Sequence, residues 1–217
     1  MTTVEEASPR PTARLPLALK LTYTAFMAVL VPVYLHEYGP TNFLYICDAA
    51  LILTLIGLWT ESALPLSMGA VGIVAPQAVW VVDFAVNLAG GHFLGVADYM
   101  FDPQFPLFLR ALSLFHGWLP FLLLFLVWKT GYDRRALAAW TVLLWTLLLV
   151  CFFFMPPSNP NPGLTPVNIN YVWGFNDHAA QTWMPPGVWL AAMMIGVPLL
   201  LCVPIHVLLL RLMPKAR

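Results

Sequence analysis

The sequence predicts an all-α fold, a polytopic transmembrane bundle of six helices with a lid loop on its outer side. Of the 217 residues, 60% are hydrophobic and 9% are charged, and the mean hydropathy is +0.79. A soluble domain of this size cannot bury so large an apolar fraction. Six apolar runs also lie near the length of about 20 residues that a helix needs to cross hydrocarbon. These runs are roughly 15–35, 42–60, 63–88, 106–128, 136–155 and 186–212.

The positive charges predict the orientation of these spans. Six spans place both termini on one face, and nine of the ten Lys and Arg residues fall on that face. The nine are Arg10, Arg14, Lys20, Lys129, Arg134, Arg135, Arg211, Lys215 and Arg217. Only Arg110 falls opposite. Because cytoplasmic loops collect Lys and Arg, we expect a multi-pass protein of the cell membrane with both termini cytoplasmic. Residues 1–14 would form a cytoplasmic tail and residues 15–213 the six-helix transmembrane domain.

Two loops, at about 89–105 and 156–185, lie on the outer face in this topology. The second loop is too rich in Pro and Asn to begin as a helix. It is also too apolar for a solvated linker, since it contains Ile169, Tyr171 and Trp173. We therefore predict a lid that folds against the outer membrane surface. Prolines inside four spans predict helix kinks that shape the bundle, at Pro32, Pro76, Pro120, Pro198 and Pro204.

The cysteines and the net charge exclude several functions. Cys47, Cys151 and Cys202 all lie inside apolar runs, without the spacing of a metal site. The sequence therefore predicts no disulfide framework, no metal site and no cofactor. The formal net charge is zero and the basic residues lie at span ends, so nucleic acid is not an expected partner. The expected partner is membrane lipid, and a homo-oligomer is left open.

Polar and ionisable residues from three spans fall at a similar depth in the outer half. They are Cys47, Asp48, Asp83, Arg110, Ser113 and His116. Cys47 and Asp48 would lie roughly 8–9 Å below the start of the second run at 1.5 Å per residue, and Asp83 a similar distance below the end of the third. In the fourth run, a spacing of three residues places the last three of the set along one stripe.

Each of these residues also has a structural interpretation. Cys47 alone is most often a small buried residue. Asp48 and Asp83 can pair with Arg110 or bind unwound backbone, and His116 can be an interhelical hydrogen bonder. An ionisable residue inside a span is nonetheless a functional candidate by default, and here several share one level under the lid.

Segments in the middle of the chain resemble the YwaF-like integral membrane proteins. The segments are TNFLYICDAALILTL at 41–55, SLFHGWLPFLLL at 113–124, and NINYVWG at 168–174 followed by WMPP at 183–186. The YwaF-like proteins are six-span bacterial proteins. Their apparent eukaryotic relatives include an ether-lipid acyltransferase and the androgen-induced and ADTRP-type hydrolases of fatty-acid esters. The shared anchors are a Cys-Asp pair in the second span, a His followed by Gly and Pro, and an Asn-Tyr loop.

The resemblance implies acyl chemistry at Cys47 and His116, because a Cys and a His carry the chemistry in the acyltransferase-like relatives. The hydrolase relatives use a Thr, which makes Thr41 the alternative nucleophile. A thiol in an apolar site needs a base to take its proton, and His116 suits that role. Asp48 or Asp83 would orient the imidazole. Asp83 is favoured, because the adjacent side chains Cys47 and Asp48 diverge by about 100° on a helix.

The neighbouring polar residues would contact the substrate. Arg110 would bind a lipid phosphate or a fatty carboxylate at headgroup level. Ser113, Asn170, Tyr171 and Thr41 complete the expected substrate-binding set. The function implied is hydrolysis or transfer of an acyl group of an outer-leaflet lipid. Two alternatives stay open: a non-enzymatic protein that binds or transports a lipid or small molecule, with its polar residues lining a path, and a membrane assembly subunit.

Overall fold

The computed structural model describes residues 15–161 and 163–216, and regular structure there is helical apart from one isolated bridge between Tyr132 and Lys215. The predicted tail, 1–14, lies outside the described residues. The helices are α1 (Leu17–Glu37), α2 (Ile46–Thr60), α3 (Ala63–Leu88), α4 (Leu107–Ser113), α5 (Phe115–Thr130), α6 (Ala136–Phe154), α7 (Pro186–Val197) and α8 (Val203–Leu212). Short 3₁₀ turns occupy Pro40–Leu44, Asp98–Met100 and Ile169–Tyr171.

Five helical spans in the described residues are long and apolar enough to cross a membrane. They are α1, α3, α4 together with α5, α6, and α7 through α8. The predicted all-α membrane bundle is therefore confirmed. α2 is shorter, with 15 residues, and begins at Ile46 rather than at 42. The chain cannot enter α2 earlier because Gly39 adopts a positive φ of 85° and Pro40–Leu44 winds as a 3₁₀ turn.

One end of the bundle, which we call the basic end, collects six helix termini. Its contacts join the start of α1 to the end of α2, the start of α3 to the α5–α6 turn, and that turn to the segment after α8. The contacts are Lys20 Nζ to Glu61 Oε1 at 2.6 Å, the Asp133 N–H to Ser67 Oγ at 3.0 Å, and the Tyr132 N–H to the Pro214 carbonyl at 2.6 Å. The described chain therefore starts and finishes at the same end, as six passes require.

The opposite end, which we call the lid end, is covered by residues 155–161 and 163–185. Here the Asn170 side chain in the lid contacts Ile46, the first residue of α2, and Leu44 in the turn before it. The Tyr34 hydroxyl in α1 also meets Ser113 Oγ at the end of α4, at 2.9 Å. Because α2 contacts α1 at the basic end and the lid at the other, this short helix still connects both ends of the bundle.

α3 lies at the centre, where it packs against α2, α5 and α6. Small residues allow this close approach. A Cβ at Gly72 would lie 1.9 Å from Cε2 of the Trp140 ring in α6, so only glycine fits there. At Gly69, a Cβ would meet the Leu123 side chain in α5 at 3.1 Å. The two glycines thus let side chains of α6 and α5 pack directly against the backbone of α3.

Two irregularities divide the later spans. The fourth span breaks at Leu114, which separates α4 from α5. The last span contains a π-helical turn, Pro198–Cys202, at one of the predicted proline positions. Proline removes a backbone donor and displaces the preceding turn, which is a known cause of such kinks. Pro32, Pro76 and Pro120 lie inside helices.

Candidate functional site

Asn168 holds the lid in shape. Its side-chain oxygen accepts the Trp173 N–H at 2.8 Å, and its amide donates to the Gly174 carbonyl at 2.8 Å and to Asp177 Oδ1 at 3.2 Å. The residue is buried and has a φ of 48°, a left-handed conformation that asparagine tolerates better than most residues. The lid is therefore an ordered loop built around one buried carboxamide.

Asn170 fastens the lid to α2. Its side-chain oxygen accepts the Ile46 N–H at 3.0 Å, while its amide donates to the Leu44 carbonyl at 2.8 Å and faces Cys151 Sγ at 3.5 Å. Ile46 is the first residue of α2, so this bond satisfies one of the free donors at the helix start. The polar atoms of Asn170 are thus bound to the protein, and its expected substrate-binding role stays a prediction.

Tyr171 contributes its backbone to the same lid. Its carbonyl accepts the Trp189 indole N–H at 2.8 Å, which ties the lid to α7. Burial raises the pKa of the Tyr171 phenol above its usual range, and the charges of Asp177, Cys47 and Asp83 add to that rise.

Asp83 binds a loop. Its carboxylate accepts three backbone N–H groups, from Leu94 at 2.7 Å, Gly95 at 3.2 Å and Ala97 at 2.7 Å. The side chain is completely buried. Three donated hydrogen bonds satisfy a carboxylate without any cation. The prediction that Asp83 orients His116 is not supported, because both carboxylate oxygens are bound to the loop after α3.

His116 is oriented by a backbone carbonyl. Its Nδ1 lies 2.7 Å from the Ser113 carbonyl oxygen, and its ring stacks on Trp80 and Phe115 with centroid distances of 5.0 and 4.1 Å. A carbonyl only accepts, so Nδ1 carries the proton and Nε2 carries the lone pair. The break at Leu114 brings the Ser113 carbonyl to the imidazole. The ring is thus held in the tautomer that a general base needs.

Ser113 is held by two partners. Its hydroxyl donates to the Leu109 carbonyl at 3.1 Å, so the Tyr34 hydroxyl donates to Ser113 Oγ across 2.9 Å. This hydroxyl therefore bridges α1 and α4, and the expected substrate-binding role of Ser113 stays a prediction. Sequence reasoning passed over Tyr34, a buried tyrosine one helical turn after Leu30.

Tyr99, in the 3₁₀ turn Asp98–Met100, is a further polar residue at the lid end. Burial raises the pKa of its phenol above the usual range, and the Cys47 thiol adds to the rise. The nearby Ser113 hydroxyl and Trp80 indole act in the opposite direction. Tyr99 thus neighbours Cys47 and also Trp80, which stacks on His116. Sequence reasoning missed it because Tyr99 belongs to a loop, where helical periodicity carries no information.

Cys47 and Asp48 lie in the first turn of α2, closer to the helix start than expected, because α2 begins at Ile46. Cys47 is half-buried, and the backbone N–H groups of Cys47 and Asp48 lie beside its sulfur. Asp48 is buried. Its Oδ2 accepts the Asn42 amide at 3.1 Å, whereas its Oδ1 is buried with no partner among the described residues.

Arg110 and Thr41 lie at the same end. Arg110 donates from Nη1 to the Met100 carbonyl at 3.0 Å, and its Nε is buried without a partner in the described chain. The described residues contain no ion pair between Arg110 and Asp48 or Asp83, so the expected structural pairing is absent there. Thr41 lies in the 3₁₀ turn before α2 and is half-buried.

These observations define the class of protein: an all-α, multi-pass integral membrane protein with an ordered lid over one end of the bundle. Comparisons with protein-family models, with curated proteins and with solved structures found no match. The resemblance to the YwaF-like proteins therefore stays a prediction. The described residues hold no group of three or more metal-ligating side chains.

Proposed function

We propose that the protein hydrolyses or transfers the acyl group of a membrane lipid, with Cys47 as nucleophile and His116 as base. The observation that carries this proposal is the tautomer of His116, whose Nδ1 is engaged by the Ser113 carbonyl so that Nε2 is free to take a proton. In the acylation step, the Cys47 sulfur attacks the ester carbonyl and its proton passes to Nε2. The leaving alkoxide then takes that proton from the imidazole.

The start of α2 favours this step. The backbone N–H groups of Cys47 and Asp48, together with the helix dipole, would stabilise negative charge on sulfur or on the carbonyl oxygen. The Ser113 carbonyl replaces Asp83 as the group that orients the imidazole. A carbonyl stabilises an imidazolium less than a carboxylate does, so this arrangement would support slower chemistry than a Cys-His-Asp triad.

Lipid access supports the same proposal. A groove of about 370 Å³ lies between α1 and α4, and Pro32, Val33, Phe108 and Leu109 are among its lining residues. Val33 precedes Tyr34, and the Leu109 carbonyl accepts a hydrogen bond from the Ser113 hydroxyl. The groove therefore adjoins the contact between Tyr34 and Ser113. Arg110 follows Leu109 and would bind the phosphate or carboxylate of the lipid. With the termini cytoplasmic, this lipid would come from the outer leaflet.

An acyl probe tests the chemistry directly. A fatty acyl thioester with an alkyne tag should label Cys47 in the purified protein, and labelling should fall about 100-fold in His116→Ala. Cys202→Ser is the matched control, because Cys202 is a buried cysteine in the turn Pro198–Cys202, inside the last span. Equal labelling of the wild type and Cys47→Ala would remove the Cys mechanism and make Thr41 the next nucleophile to test.

A second candidate function, binding or transport without chemistry, is favoured by the unpartnered Oδ1 of Asp48. A buried carboxylate oxygen in a membrane protein requires a partner, and a ligand or a proton would supply one. If this candidate is right, Cys47→Ala should retain a lipid through purification as well as the wild type does, whereas Asp48→Asn should lose it. Native mass spectrometry in mild detergent measures that retention and also reports whether the chain forms a homo-oligomer.

A further inference from the structure

Two side chains on one buried face of α3 each carry a polar atom without a partner among the described residues, and one of them, Trp80, stacks on His116. Gln77 and Trp80 are three residues apart, so they occupy neighbouring turns of the same face. Gln77 Oε1 and Trp80 Nε1 are both buried, and neither has a partner within hydrogen-bond distance among the described residues, although the Tyr99 phenol lies near the Trp80 indole. One is an acceptor and the other is a donor. Leaving both unpaired in a membrane bundle is costly, so the pair requires an explanation.

The surroundings add further acceptors. The Trp80 ring stacks on His116, whose Nε2 offers a lone pair because Nδ1 is engaged by Ser113. Pro120 has no N–H, so the His116 carbonyl lacks its usual helical donor. The site thus presents an N–H donor at Trp80 Nε1 and acceptors at Gln77 Oε1, at His116 Nε2 and at the His116 carbonyl. A hydroxyl group, which both donates and accepts, is the chemistry that matches.

We propose that Gln77, Trp80 and His116 form the subsite that binds the acceptor hydroxyl in the second half of the reaction. This inference rests on the proposed function and adds its co-substrate class: water or an alcohol. The hydroxyl donates toward Gln77 Oε1 or His116 Nε2 and accepts from Trp80 Nε1, which places its oxygen beside the base.

The step balances as follows. The hydroxyl oxygen attacks the carbonyl carbon of the Cys47 thioester while its proton passes to His116 Nε2. The carbon–sulfur bond then breaks, and the Cys47 sulfur takes the proton back from the imidazole. The product is a carboxylic acid when water supplies the hydroxyl, and an ester when an alcohol supplies it.

Pre-steady-state kinetics with a p-nitrophenyl fatty ester separate the two halves of the reaction. The burst of nitrophenol reports acylation of Cys47, and the later steady rate reports loss of the acyl group. We expect Gln77→Leu and Trp80→Phe each to lower the steady rate about tenfold, the worth of one hydrogen bond, with the burst unchanged. Trp140→Phe is the matched control, because it removes another unpaired buried indole N–H and should leave both phases unchanged.

A thermal unfolding measurement distinguishes this role from a structural one. Gln77→Leu replaces an unpaired polar group with an apolar one of similar size, so its melting temperature should equal or exceed that of the wild type. Addition of glycerol identifies the source of the hydroxyl. If Gln77→Leu forms less free acid and less glyceride than the wild type, water and alcohol share the subsite. If it forms less glyceride but as much free acid, the subsite binds an alcohol.

Wild-type steady rates in both Gln77→Leu and Trp80→Phe, with intact bursts, would overturn the subsite and leave the Cys47 chemistry standing. A melting temperature of Gln77→Leu well below that of the wild type would also overturn it, because the amide would then be a structural group. A burst that persists in Cys47→Ala would instead overturn the proposed function, and the subsite with it.

Discussion

Asp83 stabilises a loop because its partners are all backbone N–H groups. The carboxylate ends the third span by collecting the amides of Leu94, Gly95 and Ala97. Such an arrangement explains a buried charge without assigning it chemistry. The same residue type, at the same depth, has a different environment at Asp48, where one oxygen has no described partner. At the lid end, the hydrogen-bond partners of a carboxylate therefore indicate its role, and residue type and depth do not.

Two replacements of Asp83 should destabilise the fold to different extents. Asp83→Ala leaves three amides without acceptors, and we expect a loss of about 3 kcal/mol or more. Asp83→Asn can still accept from Leu94 and Gly95 through one oxygen, so the loss should be smaller. Thermal unfolding in detergent measures both. Asp98→Ala, which removes an exposed carboxylate from the same loop, is the control. Equal effects of Asp83→Ala and Asp98→Ala would contradict the anchoring role.

Gly72 should not tolerate a side chain. In Gly72→Ala, the new Cβ would overlap the Trp140 ring, and separating α3 from α6 should cost about 1–3 kcal/mol. Gly196→Ala is the matched control, because nothing lies within 4 Å of its Cβ position in α7, and alanine is the better helix former. Melting temperatures compare the two variants. A wild-type melting temperature for Gly72→Ala would mean that Trp140 is free to move.

At the scale of elements, the lid and α2 act as one unit. Asn168 shapes the lid, and Asn170 joins it to the first residue of α2, the helix that carries Cys47. Aromatic contacts complete the attachment, with Trp173 stacked on Phe152 at 4.5 Å. Opening of the lid would consequently disturb the helix start beside the proposed nucleophile.

Asn170 variants should separate hydrogen bonding from backbone strain. Asn170→Gly loses the bonds to Ile46 and Leu44 but tolerates the φ of 59°, and we expect a loss of about 2 kcal/mol. Asn170→Ala loses the same bonds and adds about 1 kcal/mol of left-handed strain. Hydrogen exchange of residues 156–185 should rise in both. Protection equal to that of the wild type in Asn170→Gly would show that the bonds do not hold the lid.

The lid should also depend on pH through Asp177. Burial raises the pKa of this carboxyl, against its hydrogen bond from Asn168 and the nearby His178. A group with a raised folded-state pKa stabilises the fold at low pH, and the contribution is lost as pH rises through that pKa. Asp177→Asn keeps the acceptor oxygen without the charge, so its melting temperature should exceed the wild type near neutral pH and converge with it in acid. An advantage that grows in acid would contradict this sign.

At the scale of the whole molecule, the two ends differ in charge. Among the described residues, Lys20, Lys129, Arg134, Arg135, Arg211 and Lys215 lie toward the basic end, and Arg110 lies toward the lid end. The fold thus keeps the distribution from which cytoplasmic termini are predicted. The orientation itself stays a prediction.

Cysteine labelling tests that orientation. In a chain without its three native cysteines, Ser158→Cys in the lid should react with an impermeant maleimide from outside the cell. Ser62→Cys at the basic end is the control and should react only after permeabilisation. If the reactivities were exchanged, the bundle would be inverted and its lipid substrate would lie in the cytoplasmic leaflet.

The spans could be predicted from the sequence, whereas the hydrogen-bond partners at the lid end could not. Apolar length alone delimits a helix that crosses hydrocarbon, so 63–88 was predicted with the bounds that α3 has. Periodicity also placed Cys47, Asp83 and His116 at the same end. It could not assign Asp83 to the loop amides or His116 to the Ser113 carbonyl, since both contacts depend on a loop path and on a helix break.

The sequence by itself determined that this chain is a helical membrane protein, because the hydrophobic effect acts on composition and on run length, which need no partner to be defined. Only the tertiary structure decided which polar groups remain available. Asn170 and Ser113 are bound within the protein, whereas Gln77, Trp80 and Asp48 each keep an atom with no partner in the described part of the chain. Hydrogen bonds are short and directional. Whether a polar atom is paired or unpaired therefore depends on differences of a few tenths of an ångström in the positions of helices that are far apart in the chain.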